Sequence, residues 1–136
     1  MRKIYRPVFT YTALTPAVFA PLSGLAINPV TAIDAVNGNR VTYGNGRNYL
    51  YVKNAHATAA CTIKPKVAAS VPEGSTTLTI TNSAITIPAL TTKLIGGFSA
   101  VNFKNSEGYI EYDWALNSSG SGQVAADVTV QVVTFP

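Results

Sequence analysis

The sequence predicts an all-β protein, and three observations carry that prediction. Two Asn-Gly pairs, Asn37-Gly38 and Asn45-Gly46, sit just ahead of short runs that favour strands. Asn and Gly reach positive φ at little cost, so such pairs mark tight turns and bulges. The run Asn48-Tyr49-Leu50-Tyr51-Val52-Lys53-Asn54 has a period of two, which is the pattern of a half-buried strand. Beyond it, short apolar runs recur between turn sequences such as Pro72-Glu73-Gly74 and Asn105-Ser106-Glu107-Gly108, as in a sandwich or barrel. The expected architecture is an antiparallel β-sandwich, Ig-like or jelly-roll-like, with an extended N-terminal arm.

The arm is residues 1–30 and the sandwich domain residues 31–136. Pro7, Pro16, Pro21 and Pro29 cut the first segment into short pieces. Each fixes φ and biases the preceding residue toward extended backbone, so no helical stripe survives. Arg2 and Lys3, followed by Val18-Phe19-Ala20, mimic the ends of a secretory leader. Arg6, Pro7, Thr10, Thr12 and Thr15 interrupt the apolar stretch a leader needs, so an arm is the expectation. Stretched out, thirty residues reach roughly 100 Å. An arm carrying Ile4, Val8, Phe9, Tyr11, Leu14, Val18 and Phe19 has to lie on something: its own sandwich, a sister subunit or another protein. No apolar run approaches the ~18 residues of a membrane span.

Strands are expected at 31–36, 40–43, 47–54, 60–67, 76–81, 84–87, 91–98, 100–103, 108–116 and 124–135. The Ser/Gly-rich stretch 118–122 reads as a hairpin tip. Alternation places Ile110, Tyr112 and Trp114 on one face, opposite Tyr109, Glu111 and Asp113. Val124, Ala126, Val128, Val130 and Val132 share a face of the last strand. Leu50, Val52, Ile63, Leu78, Ile80, Ile85, Ile87, Phe98, Val101 and Phe103 complete the expected core.

Composition limits the function classes. Only 12% of residues are charged while 47% are hydrophobic, against about 25% charged in an average soluble protein. A surface of Thr, Asn, Ser and Gly is easily dehydrated in a contact, which fits assembly as well as a stable extracellular monomer. The net charge is +4, but Arg40, Arg47, Lys53, Lys64, Lys66, Lys93 and Lys104 are scattered, so no nucleic-acid partner is expected. Cys61 is the single cysteine and reads as a buried small hydrophobe.

No catalytic set emerges. His56, the only histidine, lies in an expected loop, and with Cys61 it cannot complete a zinc site. Glu111 and Asp113 share one strand face, whereas glycoside hydrolysis needs carboxylates on opposite sides of a sugar. Gly96-Gly97 leads into no helix, so it is no phosphate cradle. Neither an enzyme nor any cofactor or metal is expected.

Several pieces in order are similar to small tailed-phage head proteins: Asn45-Gly46-Arg47 running into Tyr49-Leu50-Tyr51-Val52-Lys53-Asn54, Cys61-Thr62-Ile63, and Ile85-Thr86-Ile87-Pro88-Ala89. They continue with Ile95-Gly96-Gly97-Phe98, Phe103-Lys104-Asn105 and Gly108-Tyr109-Ile110. Over roughly residues 37–112 the chain resembles the capsid cement or decoration family. The resemblance implies a virion protein on the outer capsid surface that binds the major capsid protein and reinforces the shell, often as a homotrimer. In such a role Tyr5, Phe9, Tyr11 and Phe19 of the arm would anchor the contact, with Arg2, Lys3 and Arg6 steering it. An adhesin or carbohydrate-binding sandwich that stacks sugars on Tyr43, Tyr49, Tyr51 or Tyr109 remains open, as does another virion component.

Overall fold

The computed structural model describes residues 11–67, 84–98, 100–117 and 122–135, with backbone alone at 101 and 102. The described strands are β1 (Thr12–Ala13), β2 (Pro16–Val18), β3 (Thr31–Ala32), β4 (Asn39–Thr42), β5 (Asn48–Asn54), β6 (Cys61–Pro65), β7 (Ile85–Ile87), β8 (Thr91–Gly96), β9 (Tyr109–Ala115) and β10 (Val128–Thr134). They form two five-stranded sheets. The first runs β1-β4-β9-β6-β7, and the second runs β2-β10-β5-β8 with β3 also paired to β10. The protein is an all-β sandwich.

The period-two runs explain the layers. β5 alternates between buried Asn48, Leu50, Val52 and Asn54 and less buried Tyr49, Tyr51 and Lys53. In β9, Ile110, Tyr112 and Trp114 turn inward. They meet Leu50, Val52, Ile63, Ile87, Ile95, Val128, Val130 and Val132 in one core. Burying each large side chain contributes about 1.5–3 kcal/mol before the entropy of ordering is subtracted. Cys61 sits in this core at 1% exposure, and its burial pushes the thiol pKa up to about 11.

The arm supplies the two parallel pairings, so the sheets are mixed where uniform antiparallel sheets were expected. β1 lies parallel to β4, with Thr12 opposite Asn39, and β2 lies parallel to β10, with Pro16 opposite Val132. Between them the chain switches sheets at Leu14-Thr15, and Leu14 drops into the core. Residues 12–18 therefore take the first of the three seats open to the arm, its own sandwich.

Buried amides hold the places where the chain crosses between sheets. Asn39 Oδ1 accepts from the Trp114 indole N–H (2.8 Å) and the Asp34 amide (3.0 Å), while its Nδ2 donates to the Thr12 carbonyl. Asn54 Nδ2 donates to the carbonyls of Ala59 and Ile87, and its Oδ1 accepts from Gln123. Asn48 donates to the Thr42 carbonyl and accepts from the Thr134 hydroxyl. Each amide leaves buried backbone groups paired where no ladder can reach them.

Several expectations need correction. Residues 100–103 form a single helical turn, α1 (Ala100–Phe103), closed by the Lys104 amide on the Ala100 carbonyl. A short apolar run does not distinguish helix from strand, and here the turn brings Phe103 back onto Phe98, with ring centroids 5.2 Å apart. Residues 125–127 make a tight helical turn before β10, which leaves Val124 at 55% exposure and Ala126 exposed. β3 stops at Ala32, because Asp34 caps a turn through the amides of Val36 and Asn37. β9 and β10 belong to different sheets, so their connection is a crossover and not a hairpin. The expected strand 76–81, with Leu78 and Ile80, and the Val101 side chain lie outside the described residues.

Candidate functional site

The two outer faces of the sandwich differ in chemistry. On the first sheet, charges lie across from one another: Arg40 is in register with Glu111, and Lys64 with Asp113. Arg40 also reaches Glu107 at 3.5 Å. Two tyrosines on this side lie under cations, Tyr109 under Arg40 at 4.2 Å and Tyr11 under Lys66 at 5.4 Å, while Tyr43, just past β4, packs partly buried against the core with Lys104 5.5 Å from its ring. Asp113 accepts the Tyr11 hydroxyl at 2.9 Å, and burial together with that carboxylate pushes the Tyr11 pKa up.

On the second sheet the outer face is polar at one end, with Lys53, Thr92 and Thr129 in register, and aromatic and aliphatic at the other. Tyr49 of β5 sits across from Gly96 of β8 and Val133 of β10, and Tyr51 sits across from Leu94 and Gln131. The Phe135 ring lies 5.3 Å from Tyr49, edge to face, and 5.6 Å from Phe19. Each such ring pair is worth about 0.5–1.5 kcal/mol beyond the area it buries. Val133 belongs to this side yet is 0% exposed, so the rings form a packed layer and not a scatter. Leu94 remains 50% exposed at the layer's edge. Gly46, Arg47, Tyr49, Leu94 and Phe135 enclose a shallow groove of about 480 Å³.

Local sequence explains the groove. Gly96 and Gly97 leave room for the Tyr49 ring, because a Cβ at Gly96 would stand 3.0 Å from Tyr49 Cα and one at Gly97 3.2 Å from the Tyr49 hydroxyl. A tight turn over Gly44–Gly46, with Asn45 at φ 55°, places Arg47 at the rim. The Arg47 carbonyl then accepts the Phe135 amide at 3.0 Å, which fixes the floor to the wall.

The sequence-derived site residues divide in two. Arg2, Lys3, Tyr5, Arg6 and Phe9 lie outside the described residues. Tyr11 and Phe19 are described, and they land on opposite faces: Tyr11 on the first sheet against Asp113, Phe19 on the second against Phe135. Of the four tyrosines considered for sugar stacking, Tyr43 and Tyr109 face cations and Tyr49 is packed, which leaves Tyr51 with no ring or cation contact among the described residues. His56 organises its own loop, its Nδ1 accepting the amides of Thr58 and Ala59. Among the described residues no three His, Cys, Asp or Glu side chains gather around a common point.

Sequence reasoning missed Val133, Leu94 and Phe135 as parts of one surface. The available signal was the doublet Val132-Val133 followed by Phe135, which breaks strict alternation and implies that both faces of β10 are covered. Comparison with known proteins finds no matching family model, no matching curated protein and no matching solved structure.

Proposed function

We propose that this chain is a structural docking protein, a capsid cement or decoration protein that binds the outside of a major capsid protein lattice and stabilises it, acting as a homotrimer without a cofactor. The observation that carries the reading is the outer face of the second sheet, where the half-exposed Leu94 borders the packed rings of Tyr49, Phe135 and Phe19, and Tyr51 beside it in register has no ring or cation contact among the described residues. Exposed apolar area of this kind marks contact sites. A preformed layer loses little conformational freedom on binding. Stabilisation then follows from linkage: a protein that binds the assembled shell and not its open form shifts the equilibrium toward the shell, and many copies add.

The test is to search the chain's coding neighbourhood for a major capsid protein, to co-express the two, and to sediment the assembled shells. The chain should travel with the shells and raise their disassembly temperature. A Tyr51→Asp/Leu94→Asp variant should stay in the supernatant, while Lys64→Glu on the other face should still sediment. A wild-type chain left in the supernatant, or a coding neighbourhood without any capsid protein, ends this reading.

A further inference from the structure

The charges around the groove indicate the chemistry of what fills it. The described carboxylates are Asp34, Glu107, Glu111, Asp113 and Asp127. Glu111 and Asp113 lie on the first sheet in register with Arg40 and Lys64, and Glu107 reaches Arg40. Asp34 caps the turn before β4, and Asp127 accepts the Val124 amide before β10. None stands on the outer face of the second sheet, which instead carries Arg47 at the groove and Lys53 farther along β5. Arg47 has no carboxylate within ion-pair distance among the described residues. Its neighbours across the groove are Leu94, Tyr49 and Phe135.

We infer that this groove receives an acidic, apolar segment of the partner protein, a carboxylate meeting Arg47 while an apolar side chain lies between Leu94 and Phe135. The inference rests on the docking role proposed above and names the partner surface. A planar guanidinium beside aromatic rings is suited to a carboxylate held against apolar surface. A second copy of this chain fits less well: its own second-sheet face would oppose like charges, and on its first-sheet face each outer carboxylate of β9 has a base as its register neighbour, Arg40 beside Glu111 and Lys64 beside Asp113. Opposite charge across the contact would also speed encounter and make it salt-dependent.

The probes are two short capped peptides with the same alternating Leu and Phe residues, one with Asp and Glu between them and the other with Lys. Each is titrated into the isotope-labelled full chain while backbone amide signals are followed. The acidic peptide should shift Gly46, Arg47, Tyr49, Leu94 and Phe135, and its affinity should fall roughly tenfold between about 50 and 500 mM salt. Arg47→Glu should abolish that binding, Leu94→Ser should weaken it, and the Lys peptide should not bind. Thermal melts of both variants check folding, and Arg47→Gln serves if Arg47→Glu melts early.

Equal binding of both peptides, shifts mapping elsewhere, or affinity indifferent to Arg47 overturns the inference. So does a neutral oligosaccharide that moves these amides where the acidic peptide does not, or concentration-dependent self-association through them. Shell binding by the wild type and Arg47→Glu alike would remove the inference and leave the docking role. Acidic-peptide binding at the groove without shell binding would do the reverse.

Discussion

The outer faces of the two sheets are built from similar residue types arranged to opposite effect. On the first, tyrosine rings lie under Arg40 and Lys66, and carboxylates sit in register with bases. On the second, tyrosine and phenylalanine rings pack on one another, and among the described residues the positive charges have no opposing carboxylate in the face. The first face therefore intersperses both signs of charge, with one ion pair between Arg40 and Glu107. The second satisfies its packing and leaves Leu94, Tyr51 and Arg47 at its surface. The number of aromatics would not separate the faces; what lies over each ring does.

The strongest way to break the first face is Gly38→Ala. Gly38 has φ 78°, and a Cβ there would stand 2.5 Å from both the Tyr112 carbonyl oxygen and the Tyr11 ring. Neither the backbone strain nor the carbonyl clash can be relieved by a rotamer change, so the variant should lose about 2–4 kcal/mol of stability. The Tyr11 ring should be displaced as well, opening the β1 edge to protease, while amide signals around Leu94 and Phe135 stay in place. A melt unchanged from the wild type would show that Gly38 and Tyr11 are not packed as described.

Phe135→Ala is the matching change on the second face and should cost about 2 kcal/mol, below the usual 3–5 for a fully buried Phe because this ring is only half-buried. It uncovers Val133 and removes both ring contacts. A cost under about 0.5 kcal/mol, typical of a loose surface side chain, would mean the rings form no layer and the contrast between the faces fails.

A third probe belongs to neither face. Cys61 lies in the core between them, and burial holds its thiol protonated up to about pH 11 against an ordinary value of 9.0. The folded state binds this proton more tightly than the unfolded chain does. The resulting stability is present in full below pH 9 and is lost as pH rises toward 11. Native protein at neutral pH should resist thiol reagents, and Cys61→Ser should alter the alkaline limb of the stability curve. Rapid labelling under native conditions would place Cys61 outside the core.

These contrasts show how far the sequence could be read. Strands β4, β5, β6, β8 and β9 were legible because alternation and flanking turn residues agree there, as in Asn48–Asn54 and Tyr109–Ala115. The reading stopped where tertiary context decides. Residues 100–103 are apolar and short enough for either helix or strand, and the Phe98–Phe103 contact selects the turn. The assignment of neighbouring strands to different sheets was not legible either, because it depends on Asn39, Asn48 and Asn54, which look like ordinary surface amides in the sequence and prove to be buried. Of the candidate site, Tyr49 and Tyr51 were singled out early. Leu94 and Phe135 were not, because a groove across three strands has no sequence spacing.

The smallest expected effect sharpens the account of the first face. Arg40 touches two things at once, the Tyr109 ring at 4.2 Å and the Glu107 carboxylate at 3.5 Å. Glu107 is a side chain at 70% exposure, so water and salt screen the ion pair and its flexible chain loses entropy when held. The ring contact carries neither cost to the same degree, because Tyr109 is fixed in β9 and the Arg40 side chain is only 24% exposed. Glu107→Gln should therefore lower stability by less than about 0.5 kcal/mol, with the difference vanishing at high salt. Tyr109→Leu should cost more and be insensitive to salt, because it removes the surface on which the guanidinium lies. If denaturant melts put Glu107→Gln near 2 kcal/mol, the ion pair would be what holds Arg40, and the first face would be a charge network and not a set of cation-covered rings.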